Sequence, residues 1–165
     1  MHKYKKGDLV YHPIYGTGTI TGTQTLNMSG TEGLYYIVDL AIGEVLMIPI
    51  KEDEEAHLHP PMNSEKIIDI LSATPEELAD DFRQRREHLE AKISSGNPTQ
   101  VSEVVRDLTW REHTAQLSNG DKTLMSKAKT LLSNILVKPD LDIRDASQRL
   151  EAILKQTALA WAAGG

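Results

Sequence analysis

Phe82 is the chain's only phenylalanine, and it stands in the run Phe82-Arg-Gln-Arg-Arg86, beside Arg83, Arg85 and Arg86. An apolar ring among guanidinium groups is one way for a protein to hold an unstacked or bent duplex. The cations neutralise phosphates and the ring fills the gap between bases. The same residues admit a plainer reading. Leu78, Phe82, Arg85 and Leu89 are spaced i, i+4, i+7, i+11, which suits the buried face of a helix. Arg83 and Arg86 have Asp80, Glu87 and Glu90 nearby as ordinary helix-surface ion-pair partners. Pattern leaves both placements of Phe82 open.

Other chemistry-bearing residues read more simply. His57-x-His59 with His12 is a candidate metal set, but the acids before it, residues 52–55, suit a solvated linker, and no established ligand spacing is present. We expect no metal and no cofactor. Gly16-Thr-Gly18 resembles part of a phosphate loop. Thr21 stands where its third glycine would be, and a bend in a small barrel accounts for the glycines better. No Ser-His-Asp or paired-carboxylate arrangement stands out, so the chain does not read as an enzyme. Trp110, two residues after Leu108, reads as core or rim packing, and Lys122, Lys127 and Lys129 surround an apolar stripe as a solvated helix face would.

The elements that must position these residues fall into two kinds. Residues 7–58 read as short strands separated by turn signals. These are Leu9-Val10-Tyr11, Tyr15–Ile20, a hairpin loop over Asn27–Gly33, Leu34–Val38, a turn at Ala41–Glu44 and Val45–Pro49. After the acidic run and His57-Leu-His-Pro-Pro61 the apolar period changes to 3.6. Ser64-Glu65 opens a short helix through Leu71. Thr74-Pro75-Glu76-Glu77 has the Thr N-cap, Pro at N1 and Glu at N3 of a helix start, so a helix from there to about Ile93 is expected, ending at Ser94-Ser95-Gly96. Asn97-Pro98 repeats the signal ahead of a face made by Val101, Val104, Val105 and Leu108. Ser118–Asp121 caps a further helix striped by Leu124, Ala128, Leu131, Leu132, Ile135 and Leu136, and a final amphipathic helix covers about Ile143–Leu159. The expected fold class is α+β, a small antiparallel barrel at residues 1–60 followed by a compact helical bundle at 64–165.

Composition bounds the function. The 165 residues are 39% apolar, enough for a folded core in one domain or two small ones. The absence of cysteine excludes a disulfide scaffold, thiolate zinc sites and a cysteine nucleophile. Met1–Asp8 is basic with no apolar stretch after it, so no signal peptide is expected. No run of about 18 apolar residues suggests a membrane span. The net charge of −6 argues against a generic nucleic-acid binder, yet the charge is segregated. Residues 1–63 carry 4 Lys/Arg against 8 Asp/Glu, and residues 82–138 carry 10 against 6. A polyanion would meet the helical middle, and a different partner the N-terminal part.

Taken together, Lys6-Gly-Asp-Leu-Val-Tyr-His-Pro-Ile-Tyr-Gly16, Leu34–Val38, Ile48-Pro49, Ser95-Gly96, Val101-Ser-Glu-Val-Val-Arg-Asp-Leu108 and Leu117–Lys122 with Lys127-Ala128 resemble the CarD/CdnL-type bacterial transcription regulators. The N-terminal part is similar to the RNA-polymerase-interacting domain shared with transcription-repair coupling factor. The resemblance implies a Tudor-like barrel that binds the β subunit of RNA polymerase, with contacts falling on Leu26, Asn27 and Met47. It implies a helical domain that holds promoter DNA at the upstream edge of the bubble, largely independent of sequence, through Phe82, Arg83, Arg85, Arg86 and Lys127. The family's wedge tryptophan falls on Phe82 when counted back from Ser95-Gly96. Phenylalanine keeps the apolar wedge and loses the indole N–H. Arginines that some members use toward polymerase fall on Leu26 and Met47, and a basic position falls on Glu87. The implied protein is a cytoplasmic monomer, at the nucleoid through polymerase, that stabilises the open complex. The alternative is a polymerase-binding adaptor without DNA contact.

Overall fold

The computed structural model describes residues 3–41, 43–51, 58–60, 62, 64–136 and 143–164. The acids at 52–55, His57 and the isoleucine of the expected Ala41–Glu44 turn lie outside them. Strands β1 (Leu9–His12), β2 (Gly16–Met28), β3 (Thr31–Leu40) and β4 (Val45–Pro49) precede helices α1 (Ser64–Ser72), α2 (Phe82–Ser94), α3 (Pro98–Thr114), α4 (Asn119–Leu136) and α5 (Ile143–Gly164). The class is α+β, with an antiparallel sheet first and helices after it.

The sheet runs β1-β2-β3-β4 in order, each neighbour antiparallel. The expected loop at 27–33 is tighter than its composition suggested. Met28 still pairs with Thr31, and the two residues between them, Ser29 and Gly30, have φ of 55° and 80°. Two central residues with positive φ make the turn whose twist matches that of the flanking strands. The expected barrel closure is corrected. Among the described residues β1 and β4 do not pair. Tyr11 instead exchanges backbone bonds of 2.7 and 2.9 Å with His59. Tyr4 covers the inner face, donating its hydroxyl to Leu58 O at 2.8 Å and stacking edge-on against Tyr36. Val10, Ile20, Tyr36, Val38, Leu40 and Ile48 fill that face. The register shifts between Ile20 and Gly22, so the bulge lies at Thr21. At Gly18 a Cβ would stand 2.8 Å from Asp39 O, and only glycine lets β2 and β3 approach so closely there.

The helical core is built around α3, whose Val101, Val104, Val105 and Leu108 are fully buried, as the spacing predicts. Leu124, Ala128, Leu132, Ile135 and Leu136 of α4 and Ala146, Leu150, Ile153 and Leu154 of α5 pack on it. One expectation fails. Residues 74–81 are not helical, and α2 begins at Phe82. The Thr-Pro-Glu-Glu signal is overridden by tertiary bonds. Glu76 N–H donates to Asp107 Oδ1 at 2.9 Å, Leu78 is buried in the core, and Arg85 takes the carbonyls of Ala79 and Asp80 at 2.9 and 3.0 Å. A backbone whose polar groups are already satisfied this way gains nothing from helical bonds.

The β1–β2 corner is embedded in the helices. Tyr11 belongs to the helical core, Thr17 Oγ1 donates to Asn134 O at 3.0 Å, and Pro13 lies against Gly96. Gly96 has φ of 65° at the end of α2, and a Cβ there would stand 2.8 Å from Pro13 Cβ. Both the left-handed cap and the contact require glycine.

The Tyr11 hydroxyl is buried without a hydrogen-bond partner among the described residues, and burial raises its pKa well above the usual tyrosine value. Tyr11→Phe is therefore expected to be neutral or stabilising by up to about 1 kcal/mol, because the lone hydroxyl stays desolvated without return. Tyr11→Ala should cost about 3–5 kcal/mol by leaving a cavity. Urea midpoints of the two variants check this, and a clear destabilisation by Tyr11→Phe would show that the hydroxyl has a partner.

Candidate nucleic-acid and polymerase interface

The start of α2 is set by local hydrogen bonding. Asp81 adopts an extended φ of −66° and ψ of 120° and accepts from Arg83 N at 2.8 Å and Gln84 N at 3.2 Å, the geometry of an N-cap. Phe82 is the first helical residue. It belongs to neither core cluster and is 38% exposed. Of the two placements left open by pattern, the structure takes the exposed one, because Leu78 is not on the same helix as Phe82 and the i, i+4 face does not exist. The far end of the ring abuts Gly120 in the first turn of α4, and Arg85 Cζ lies over the ring, 5.4 Å from its centroid.

Arg85 departs from the expected set of DNA contacts. It is 4% exposed, and its Nε and Nη2 donate to Asp121 Oδ1 and Oδ2 at 2.8 and 3.1 Å. With Nη1 on the carbonyls of residues 79 and 80, this guanidinium is committed inside the protein, and a phosphate has no access to it. Asp121 is itself the third residue of α4. It accepts from Ser118 N at 3.0 Å while Ser118 Oγ accepts from Asp121 N at 3.1 Å, a reciprocal cap. Burial pushes the Asp121 carboxyl upward. The hydrogen bonds from Arg85 and Ser118 and the Arg85 charge outweigh it and hold the pKa below the ordinary value of 3.8.

Arg83 and Arg86 stay at the surface. Arg83 is paired with Glu87 at 3.5 Å with its side chain 89% exposed, and Arg86 with Glu90 at 3.0 Å. Such exposed i, i+4 pairs are worth roughly 0.2–1 kcal/mol, so a phosphate could replace either carboxylate at small cost. Lys127 is exposed on α4, beside Lys122 and Ser126, in a groove closed by Ile93 and Leu131. Lys129 is bound to Glu151 of α5 at 3.0 Å and ties the two helices together. Trp110 is half-buried and edge-on to Trp161 at 5.5 Å, the rim packing expected of it.

In the sheet, β4 is an edge strand. Leu40 N–H donates to Glu44 O and Ile50 N–H to Leu34 O. With Val38 opposite Leu46 and Tyr36 opposite Ile48, the alternation of an antiparallel ladder turns the backbone groups of Val45 and Met47 outward. Among the described residues no strand pairs with that edge. Val45 and Met47 are 60% and 45% exposed. Leu26 pairs with Gly33 and Met47 with Ile37, which places Leu26 and Met47 on the same outer face, with Tyr35, Ile37, Val45 and Met28. Asn27 points to the opposite face, beyond the end of the core. Leu26 and Met47 share a face without touching, since their partner residues on β3 are four apart, about 13 Å along the strand.

Of the histidines proposed for metal, His57 lies outside the described residues. His12 accepts the Ile14 N–H at Nδ1 at 3.1 Å and packs on Tyr15. No cluster of three potential ligands occurs among the described residues, and no described helix is long and apolar enough to cross a membrane. The residues that reading the sequence missed are Gly120 and Asp121. They were visible as a helix cap, but nothing local couples them to Phe82 and Arg85, 36 residues before Asp121.

Two family models match the chain. The CarD C-terminal domain matches residues 66–151, and the CarD-like/TRCF RID domain matches residues 4–60.

Removing one partner of the Arg85–Asp121 pair leaves a buried charge unpaired, so Asp121→Ala is expected to cost about 3–5 kcal/mol in denaturant unfolding. The pH dependence has a fixed sign. The folded pKa of Asp121 is depressed, so its contribution is present above the ordinary value of 3.8 and is lost as pH falls through the lower folded value. Urea midpoints measured across the acid range should show this limb in the native protein and a flatter one in Asp121→Asn.

Proposed function

The chain belongs to the CarD family of RNA-polymerase-interacting transcription factors, which are not enzymes, and from that premise we propose that it stabilises the open promoter complex by holding DNA at the upstream edge of the bubble. The observation that carries this reading is Phe82, an exposed aromatic ring at a helix start, seated against the first turn of α4 and followed in sequence by two surface arginines. Residues 1–60 form the polymerase-binding part in this reading and 64–165 the DNA-contacting part.

The sheet docks through its outer apolar face, Leu26 and Met47 with Val45, Ile37 and Met28, and through the open edge of β4, which can accept a strand of the polymerase β subunit. Contiguous exposed apolar surface of this kind marks interaction sites. Side-chain arginines are not needed there, because outward backbone groups supply the hydrogen bonds. Phe82 then inserts beside a base step, with Arg83, Arg86 and Lys127 on the phosphates. The open complex offers an unstacked step and the closed one does not, so differential affinity shifts the population toward open. Tethering to polymerase compensates for a weakly basic DNA surface through effective concentration. Arg85, being buried, acts by positioning Phe82.

The second reading, an adaptor without DNA contact, is favoured by the net charge of −6 and by the glutamates already paired with both surface arginines. Charge reversal separates the two. Arg83→Glu with Arg86→Glu should weaken polymerase–promoter complexes most at low salt and reduce the slope of log K against log salt by about 0.9 per lost phosphate contact. An unchanged slope selects the adaptor. Phe82→Ala should shorten open-complex lifetime on a promoter fragment while leaving polymerase binding intact, and an unchanged lifetime would end the wedge reading. At the sheet edge, Met47→Pro removes an outward N–H that no strand among the described residues uses. It should abolish polymerase binding, whereas Met47→Ala weakens it only modestly. Equal effects of the two would argue against strand pairing.

A further inference from the structure

Gly120 has no conformational reason to be glycine. It lies in the first turn of α4, and its φ is not among the positive values in the chain. Alanine is the better helix former of the two. What requires glycine is Phe82. A Cβ on residue 120 would stand 2.7 Å from Phe82 Cε2 and 3.4 Å from Cε1, so the ring rests directly on bare backbone. The Arg85–Asp121 pair brings the two helix starts together at that point and sets a guanidinium beside the ring. The ring thus abuts Gly120 with its far end, has the Arg85 guanidinium over it, and is left 38% exposed.

We propose that Gly120 is a positioning residue for Phe82, a seat that holds the ring in one pose. This rests on the reading of Phe82 as the DNA-contacting ring. A ring already held loses less freedom on insertion, so the seat strengthens the contact without touching the bases. A methyl group at residue 120 displaces the ring rather than the fold, because the atom it meets is the mobile end of an exposed side chain.

The test is Gly120→Ala in the full chain. Its thermal midpoint is expected to be unchanged or raised and its polymerase binding unchanged, while the gain in open-complex lifetime falls to the level of Phe82→Ala. The double variant should be no worse than Phe82→Ala alone. A direct readout comes from NMR. The Gly120 Hα resonances should be displaced by the ring current in the native protein and return to ordinary values in Phe82→Ala. A native lifetime in Gly120→Ala, an additive loss in the double variant, or no ring-current displacement would each overturn the seat. Failure of the wedge reading is distinguishable, since there Phe82→Ala itself leaves the lifetime unchanged.

Discussion

The bidentate pair between Arg85 and Asp121 is the constraint on which the candidate DNA-facing site depends. Two charges taken out of water cost several kcal/mol each, and their attraction repays this only when geometry is good and the remaining hydrogen-bonding groups are satisfied. Both conditions hold here. The arginine's other terminal nitrogen bonds the carbonyls of Ala79 and Asp80, and the carboxylate also accepts from the Ser118 backbone. Such a pair adds little net stability over an apolar substitute, but it admits few alternative arrangements. It holds the residues just before α2 in a non-helical path, brings the starts of α2 and α4 together, and leaves Phe82 beside Gly120 rather than in the core.

The second constraint is the joint between sheet and helices. A buried tyrosine, a proline against a glycine, and a threonine on a helix carbonyl each come from the β1–β2 corner, and none is a long flexible side chain. Close-packed contacts of this sort have little compliance. The β1–β2 corner is therefore packed firmly against the helices, which suits the proposed reading in which the sheet docks on polymerase and Phe82 meets DNA. The acid-rich surface is consistent with this division of labour. Affinity need not come from a broad basic field when one part of the molecule docks and the other is delivered to its target.

Much of this was legible in the sequence. Strand and helix segments follow from apolar period, and the caps at Asn97 and Ser118 from residue type, since both are local effects of side chains on the nearest backbone groups. The buried faces of α3 and α4 follow from spacing alone. The surface status of Arg83, Arg86 and Lys127 agrees with their charge, and the exposure of Met47 with its place on an edge strand.

What only the tertiary structure decided lies where distant residues compete with local preference. Thr74-Pro75-Glu76-Glu77 carries every local mark of a helix start, yet Arg85 takes the carbonyls of Ala79 and Asp80 and Asp107 takes the Glu76 N–H, and α2 begins only at Phe82, after the Asp81 cap. Arg85 looks like its neighbours in sequence and becomes a buried strut, because its partner is contributed by another helix. The sheet stays open because Tyr4, Leu58 and His59 cover what strand closure would have covered. Composition and period thus determined the class of fold, the order of its elements and the segments that carry charge. Which arginine is buried, where α2 starts and what supports the ring were decided by long-range hydrogen bonds and close packing, whose partners no window of sequence contains.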